Sequence, residues 1–227
     1  MNILRIAACS PFPPGRGPPV GHANLFALSC IHLPSDAVFR AQAMQNMTSD
    51  HWSIESPRLC LRPFTSGDAD EAFAGITPGL TRYMAFEPPP SKEAFAAVWQ
   101  AWLPAIADGS DITFVIRRRE DGVFLGLAGL HRTGDAEPEL GIWIAEAMHG
   151  HGYGREAVAA VWSAASQRLS CAAFRYPVAE QNRSSRSLAE SLGGQPAARE
   201  QGVKYTTIIY RFPAAMHGVA TEVAESR

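Results

Sequence analysis

Cysteine is scarce in this chain. Four are spread over 227 residues, at Cys9, Cys30, Cys60 and Cys171, with no Cys-x-x-Cys pair. That excludes a disulfide framework and a zinc ribbon, and it leads us to expect reduced thiols in a cytoplasmic protein. No apolar run approaches the roughly eighteen residues of a membrane span. An excess of charge of either sign is also lacking: 20 basic residues stand against 22 acidic ones, a net charge of −2. A balance so close to zero gives no pull toward nucleic acid or an anionic membrane, and neither is expected as a partner. There is no Gly-x-Ser-x-Gly elbow to nominate a serine hydrolase. No internal repeat is visible.

Hydrophobic residues are plentiful, at 46% of the chain. The length fits one domain with tails. Residues 1–46 differ from the rest, because Pro11, Pro13, Pro14, Pro18 and Pro19 alternate with Gly15, Gly17 and Gly21 and forbid regular structure. Two readings stand: a disordered tail with a short helix at Ser35–Asn46, or an over-extended start with translation beginning at Met44 or Met47. The domain is expected over 47–213, followed by a frayed polar tail over 214–227.

Arg58–Phe64 alternates and ends near Pro63, which reads as a strand. Thr65–Asp68 turns and caps a short helix over Ala69–Gly75. Pro88, Pro89 and Pro90 form a stiff connector. Ser91 then caps a helix running to about Asp108, with Phe95, Val98, Trp99 and Trp102 on one face. Ile112–Arg119 and Val123–Arg132 read as a hairpin around Asp121-Gly122. The basic run Arg117–Arg119 reads as an outward strand end. Glu137–Ala145 is a third antiparallel strand. A helix from about Gly154 to Leu169 carries Val158, Val161, Trp162 and Ala165 at helical spacing. Phe174–Glu180 returns parallel to Glu137–Ala145, because a helix crosses between them. Asn182 opens a helix stopped by Gly193-Gly194. Val203–Phe212 is the last strand, with Gln195–Gln201 as its pairing partner.

Between the third strand and the long helix lies His149-Gly150-His151-Gly152-Tyr153-Gly154-Arg155. Glycines admit positive φ and close approach. Successive amides at a helix N-terminus make a cradle for phosphate. The run is not a P-loop, since no Gly-Lys-Ser/Thr follows. It also fails as a dinucleotide fingerprint: the third glycine falls on Arg155, and no acidic residue lies between Leu169 and Tyr176. The pair His149 and His151 has no third ligand nearby, so no metal is expected.

This loop resembles the acetyl-CoA pyrophosphate loop of the GCN5-related N-acetyltransferases (GNAT), with His149 where that family carries Arg or Gln and with Gly152 and Gly154 in place. Arg62-Pro63-Phe64 with Asp68-x-Asp70 is similar to the opening of the ribosomal-protein alanine N-acetyltransferase (RimJ/RimL type) branch. Asn182 and Ser185, ahead of a helix ending Leu192-Gly193, resemble the second cofactor motif. Two departures stand out. Gly194 replaces a phenylalanine, and Ala189 replaces the tyrosine that is the usual general acid.

The resemblance implies an α/β (α+β) fold: a mixed, strongly twisted central sheet with helices on both faces and a splayed parallel strand pair. It implies acetyl-CoA as co-substrate and a primary amine as acceptor, either a protein N-terminus or a small molecule. Cofactor contacts would come from Ile142, Trp143 and Ile144, from His149, Gly150, His151, Gly152, Tyr153, Gly154 and Arg155, and from Asn182 and Ser185. Tyr83, Met84 and Phe86 would border the acceptor. Glu139 is the candidate base and Ser185 a candidate proton relay. Arg155 could add charge or be a solvated first-turn residue. Tyr205 and Tyr210 are the tyrosines that could reach in from the last strand. A second reading is a non-catalytic acyl-CoA-binding module of the same fold, motivated by Ala189 and Gly194. Either a monomer or a homodimer is compatible with the sequence.

Overall fold

The computed structural model describes residues 52–214. The tail over 1–46, the helix expected at Ser35–Asn46, the starts at Met44 and Met47, and the tail beyond Ala214 lie outside the described residues. Eight strands form one sheet: β1 (Ile54–Glu55), β2 (Leu59–Pro63), β3 (Ile112–Arg118), β4 (Phe124–His131), β5 (Glu139–Ile144), β6 (Ala173–Ala179), β7 (Gln195–Gln201) and β8 (Thr206–Pro213). Their order is β1-β2-β3-β4-β5-β6-β8-β7. Every neighbouring pair is antiparallel except β5 and β6, which are parallel.

Helices α1 (Ala69–Gly75), α2 (Pro78–Thr81), α3 (Lys92–Gln100) and α4 (Trp102–Asp108) precede β3. Helix α5 (Tyr153–Arg168) crosses from β5 to β6, and α6 (Arg183–Ser191) follows β6. One helix was expected from Ser91 to about Asp108; there are two. Ser91 caps the first, its Oγ accepting from Ala94 N at 3.2 Å. The break falls at Ala101, because Pro104 has no N–H to give the Gln100 carbonyl. The Ala101 amide bonds Val98 O instead, in a tighter turn. The last strand also begins later than Val203. The segment before it forms a turn closed by Gly202 N on Tyr205 O at 3.1 Å.

The sheet has a core on each face. Under α5 and α6, Leu59, Leu61, Phe114, Leu130, Val161, Trp162, Phe174 and Tyr176 pack together. Under α1, α3 and α4, Phe64, Leu80, Met84, Phe95, Trp102, Leu127 and Trp143 form the second core. Burying each such side chain favours the fold by about 1.5–3 kcal/mol. Alternation along β5 divides the two: Ile142 and Ile144 face the first core, Trp143 the second.

The hairpin expected at Asp121-Gly122 is present, with Gly122 at φ 72° and Arg118 N bonded to Val123 O. The three arginines there are all paired: Arg117 with Asp68 and Glu71, Arg118 with Asp121, Arg119 with Glu55. Asp68 is the hub of this end. It is 1% exposed and takes Arg62 on both oxygens, at 2.6 and 2.8 Å, and Arg117 at 3.0 Å. Burial pushes its carboxyl up, but Arg62, the Thr65 amide and hydroxyl, and Arg117 outweigh that and hold it at about 2.

Candidate active site

Strands β5 and β6 part company almost at once. Their one ladder pair is Glu139 with Arg175, joined by Arg175 N on Pro138 O at 2.8 Å. Further along, β6 pairs only with β8. At the far end of β5, Ala145 N bonds Leu125 O. Backbone groups alternate along a strand, so the odd residues of β5 turn to β4. The N–H and C=O groups of Ile142 and Ile144 therefore face the gap beside β6. Trp143 turns its carbonyl the other way: a Cβ on Gly126 would lie 2.1 Å from it. Only glycine fits that point of β4, which has φ 154°.

The glycine loop closes the wide end of the gap. Gly150 and Gly152 take φ 81° and 77°; Gly152 is the N-cap of α5. Nothing lies within 4 Å of where a Gly150 side chain would start. Gly154 faces inward, with Leu188 of α6 and Ile144 of β5 as its neighbours. His149 sits at the mouth, its Nε2–H donating to Ile144 O at 2.7 Å. His151 stacks on Tyr153 with centroids 5.6 Å apart. The Tyr153 ring is buried, with Arg58 over it at 4.9 Å. Arg155 reaches Ser191 O at 3.4 Å and so spans from α5 to α6.

A brace holds the start of α5 from behind. Glu156 accepts from Ser56 Oγ (2.7 Å), Arg58 N (2.8 Å) and Arg58 Nε (2.7 Å). Burial raises the Glu156 carboxyl; these donors lower it by more. Arg58 also donates to His151 O at 3.0 Å. Sequence reading missed this brace, although an acidic residue in a helix's first turn is its visible half.

Helix α6 supplies the opposite wall. Asn182 caps it, Oδ1 accepting from Ser185 N at 3.1 Å. Ser185 Oγ lies 2.8 Å from the hydroxyl of Tyr176, on β6. Burial pushes the Tyr176 phenol up to about 12, against the pull of Ser185, so it keeps its proton. The hydroxyl that reaches Ser185 thus comes from β6. Tyr210 is engaged elsewhere, with Glu190 at 2.6 Å and Arg186 at 3.2 Å. The aromatic missing at Gly194 is also supplied from another strand: Phe212 of β8 fills the space a Gly194 side chain would take, with ring atoms 3.0 and 3.3 Å from it.

The other face of the sheet holds the polar group. Glu139 is 4% exposed, and its Oε2 accepts from Arg132 Nη2 at 2.8 Å. Burial raises its carboxyl, and the charge of Arg132 is the largest influence against that. Among the expected acceptor contacts, Met84 is buried in the second core and Phe86 packs partly against it. Tyr83 is half-buried with Arg82 at 5.8 Å from its ring. The turn before β8 reaches over this segment. Lys204 Nζ bonds Thr81 O (3.0 Å), Phe86 O (3.5 Å) and Glu87 Oε1 (2.6 Å).

These residues suit an acyl-CoA. An open strand edge would offer amides to its pantetheine arm, and a glycine loop at the N-terminus of a 16-residue helix would offer amides to its pyrophosphate. The chain belongs to the GNAT acetyltransferase domain family: that family's pattern, described as "Acetyltransferase (GNAT) domain", matches residues 58–195, more than half of the chain. Among solved structures, it is similar to RimL, a ribosomal L7/L12 alpha-N-protein acetyltransferase. The TM-score is 0.62 at 15% identity, covering 70% of this chain and 91% of that one. Spermidine N-acetyltransferase from Vibrio cholerae, solved with CoA and spermine, gives 0.61 at 19% identity over 70% and 97%. Mycobacterium smegmatis RimJ, solved with CoA-disulfide, gives 0.61 at 16% over 69% and 82%. No curated protein sequence matches significantly.

Proposed function

We propose that this protein is an N-acetyltransferase that moves the acetyl group of acetyl-CoA to a primary amine, by direct attack with both substrates bound. The observation that carries this reading is the open amide edge of Ile142 and Ile144, leading to the glycine loop. Amides from Gly150 to Arg155 would receive the pyrophosphate. Ile142, and the N–H of Ile144, would pair with the pantetheine arm, with Asn182 and Ser185 on its other side. Acetyl-CoA supplies an activated thioester. The chain's contribution is orientation, together with a backbone N–H at the gap aimed at the carbonyl oxygen. Ser185, backed by Tyr176 at 2.8 Å, would serve the departing sulfur.

The acceptor would come from the opposite face, past Tyr83, Met84 and Phe86 and beneath Lys204. Glu139 would meet it as a buried carboxylate suited to a cationic amine. A protein N-terminus, with a pKa of about 7.7–8.0, needs less help to lose its proton than a lysine at about 10.4. Small amines remain acceptors of the same chemistry. We place the reaction in the cytoplasm, on the free thiols of Cys60 and Cys171. Among the described residues no helix is long and apolar enough to cross a membrane.

Thermal denaturation with acetyl-CoA, CoA and NADPH side by side tests the cleft. Ligand at about a hundred times its Kd should stabilise the protein by roughly 2.7 kcal/mol. Thiol release over a panel of amines and short peptides then tests turnover. No shift with either CoA species would sink the reading. A shift without turnover on any amine would leave a binding module.

A further inference from the structure

A second titratable group lies on the acceptor face. His131 ends β4 as the cross-strand partner of Glu139. Its Nδ1 is 2.7 Å from Asp111 Oδ1. A carboxylate only accepts, so Nδ1 carries a proton, and in the neutral ring Nε2 then presents a lone pair. His131 is 9% exposed, and its Nε2 is buried with no hydrogen-bond partner among the described residues. Buried polar atoms are nearly always paired, so one left open calls for a reason.

The ring's direction supplies one. It lies back along β4 over Gly129, where a Cβ would come 2.2 Å from Nε2. The cross-strand neighbour of Gly129 is Gly141. With no side chain at Gly129 the ring lies against the sheet, which places Nε2 at the level of Gly141, next to Ile142, where the gap between β5 and β6 opens. Asp111 also takes Arg132 N at 3.4 Å. Arg132 has φ 53°, the sole non-glycine at positive φ among the described residues. That turn folds its guanidinium back onto Glu139. Such strain gathers at functional sites. The charged groups facing His131 are therefore Asp111, Glu139 and Arg132, with Arg175 beyond Glu139 on β6 and itself paired to Glu200.

We infer that His131 is the proton acceptor for the incoming amine, with Asp111 as the residue that fixes its tautomer. This rests on the proposed acetyl transfer. As the amine lone pair forms the new C–N bond, one N–H proton passes to Nε2. The C–S bond breaks with its electron pair on sulfur, and the imidazolium returns the proton to that sulfur through water. Nothing is oxidised or reduced. Glu139, pinned by Arg132, stays a carboxylate beside the developing imidazolium.

Two measurements on the full chain test this. In the first, ¹⁵N-histidine NMR of the neutral ring should show Nδ1–H with Nε2 bare, and Asp111→Asn should populate the opposite tautomer. In the second, His131→Asn should still donate to Asp111, and should keep the thermal shift with CoA, yet lose about 10²- to 10⁴-fold in kcat/KM for the amine. A wild-type spectrum with Nε2 protonated would overturn the inference even if His131→Asn fails to fold. So would a folded His131→Asn with kcat/KM within threefold of wild type. Wild type that binds CoA but acetylates no amine would instead overturn the transferase reading, and this inference with it.

Discussion

His149 ties the glycine loop to the strand it follows, donating from Nε2 to the carbonyl of Ile144 at 2.7 Å. That carbonyl faces the gap, so a pantetheine arm bound as proposed would be left with the Ile144 N–H and the two groups of Ile142. His149→Ala should free the loop and weaken CoA binding about tenfold, the worth of one hydrogen bond of about 1–1.5 kcal/mol. His149→Gln keeps a donor of similar reach and should stay within about threefold. Calorimetric titration with CoA separates the two; equal loss in both variants would show that the bond to Ile144 is not what matters.

Gly152 and Gly154 serve different ends. Gly152 has φ 77°, so Gly152→Ala should cost about 1–2 kcal/mol of stability. Gly154 is inside the helix, and its added methyl would make ordinary contacts with Leu188 at 3.4 Å and Ile144 at 3.6 Å. Gly154→Ala should therefore keep or raise Tm, since alanine gains about 1 kcal/mol in a helix. If the loop receives the pyrophosphate as proposed, Gly154→Ala should still bind CoA at least tenfold more weakly, because the methyl would narrow the space between the loop, α6 and β5. Melting curves with and without CoA read both effects; a Gly154→Ala protein with full affinity would remove that residue from the site.

Asp68 sets the acid limit of the fold. Its carboxyl is held at about 2 in the native state, against about 3.9 in an unfolded chain. A depressed carboxylate stabilises above its unfolded pKa and loses that stabilisation as pH falls through the folded one. The contribution is about 2 kcal/mol, present at pH 5 and fading toward pH 2. Urea unfolding should find Asp68→Asn clearly weaker at pH 5.5, with the gap to wild type closing by about that amount near pH 2. A gap that does not change with pH would mean the arginines are held by something else.

Lys204 spans from the β7–β8 turn to the segment over 81–87. Lys204→Met keeps the apolar stem and removes the three contacts. The pair with Glu87 is exposed, so stability should change by less than about 1 kcal/mol. The effect should appear in KM for the amine, raised several-fold, with Kd for acetyl-CoA unchanged. An unchanged amine KM would mean that the acceptor does not pass beneath this strap.

Much of this was legible locally. The 3.6-residue spacing of Val158, Val161, Trp162 and Ala165 marked α5, and Asn182 and Ser91 marked their helix starts, because caps and periodicity act within a few residues of chain. The glycine loop and the crossover after β5 were legible for the same reason. The break at Ala101 was missed although Pro104 announces it. The substitutes for missing family residues could not be seen at all. Phe212 fills the space beside Gly194, and Tyr176 reaches Ser185, from strands that lie next to α6 only once the sheet has formed.

By itself, then, the sequence determined most of the elements, their order and the glycine loop, since dihedral preference, capping and hydrophobic period are short-range properties. Tertiary structure alone decided which amides of β5 stay unpaired, which hydroxyl meets Ser185, and that His131 stands between Asp111 and its cross-strand partner Glu139. Those relations depend on strand register and on the point where β5 and β6 separate. Register is fixed by the packing of two cores at once, and no window of the chain contains both.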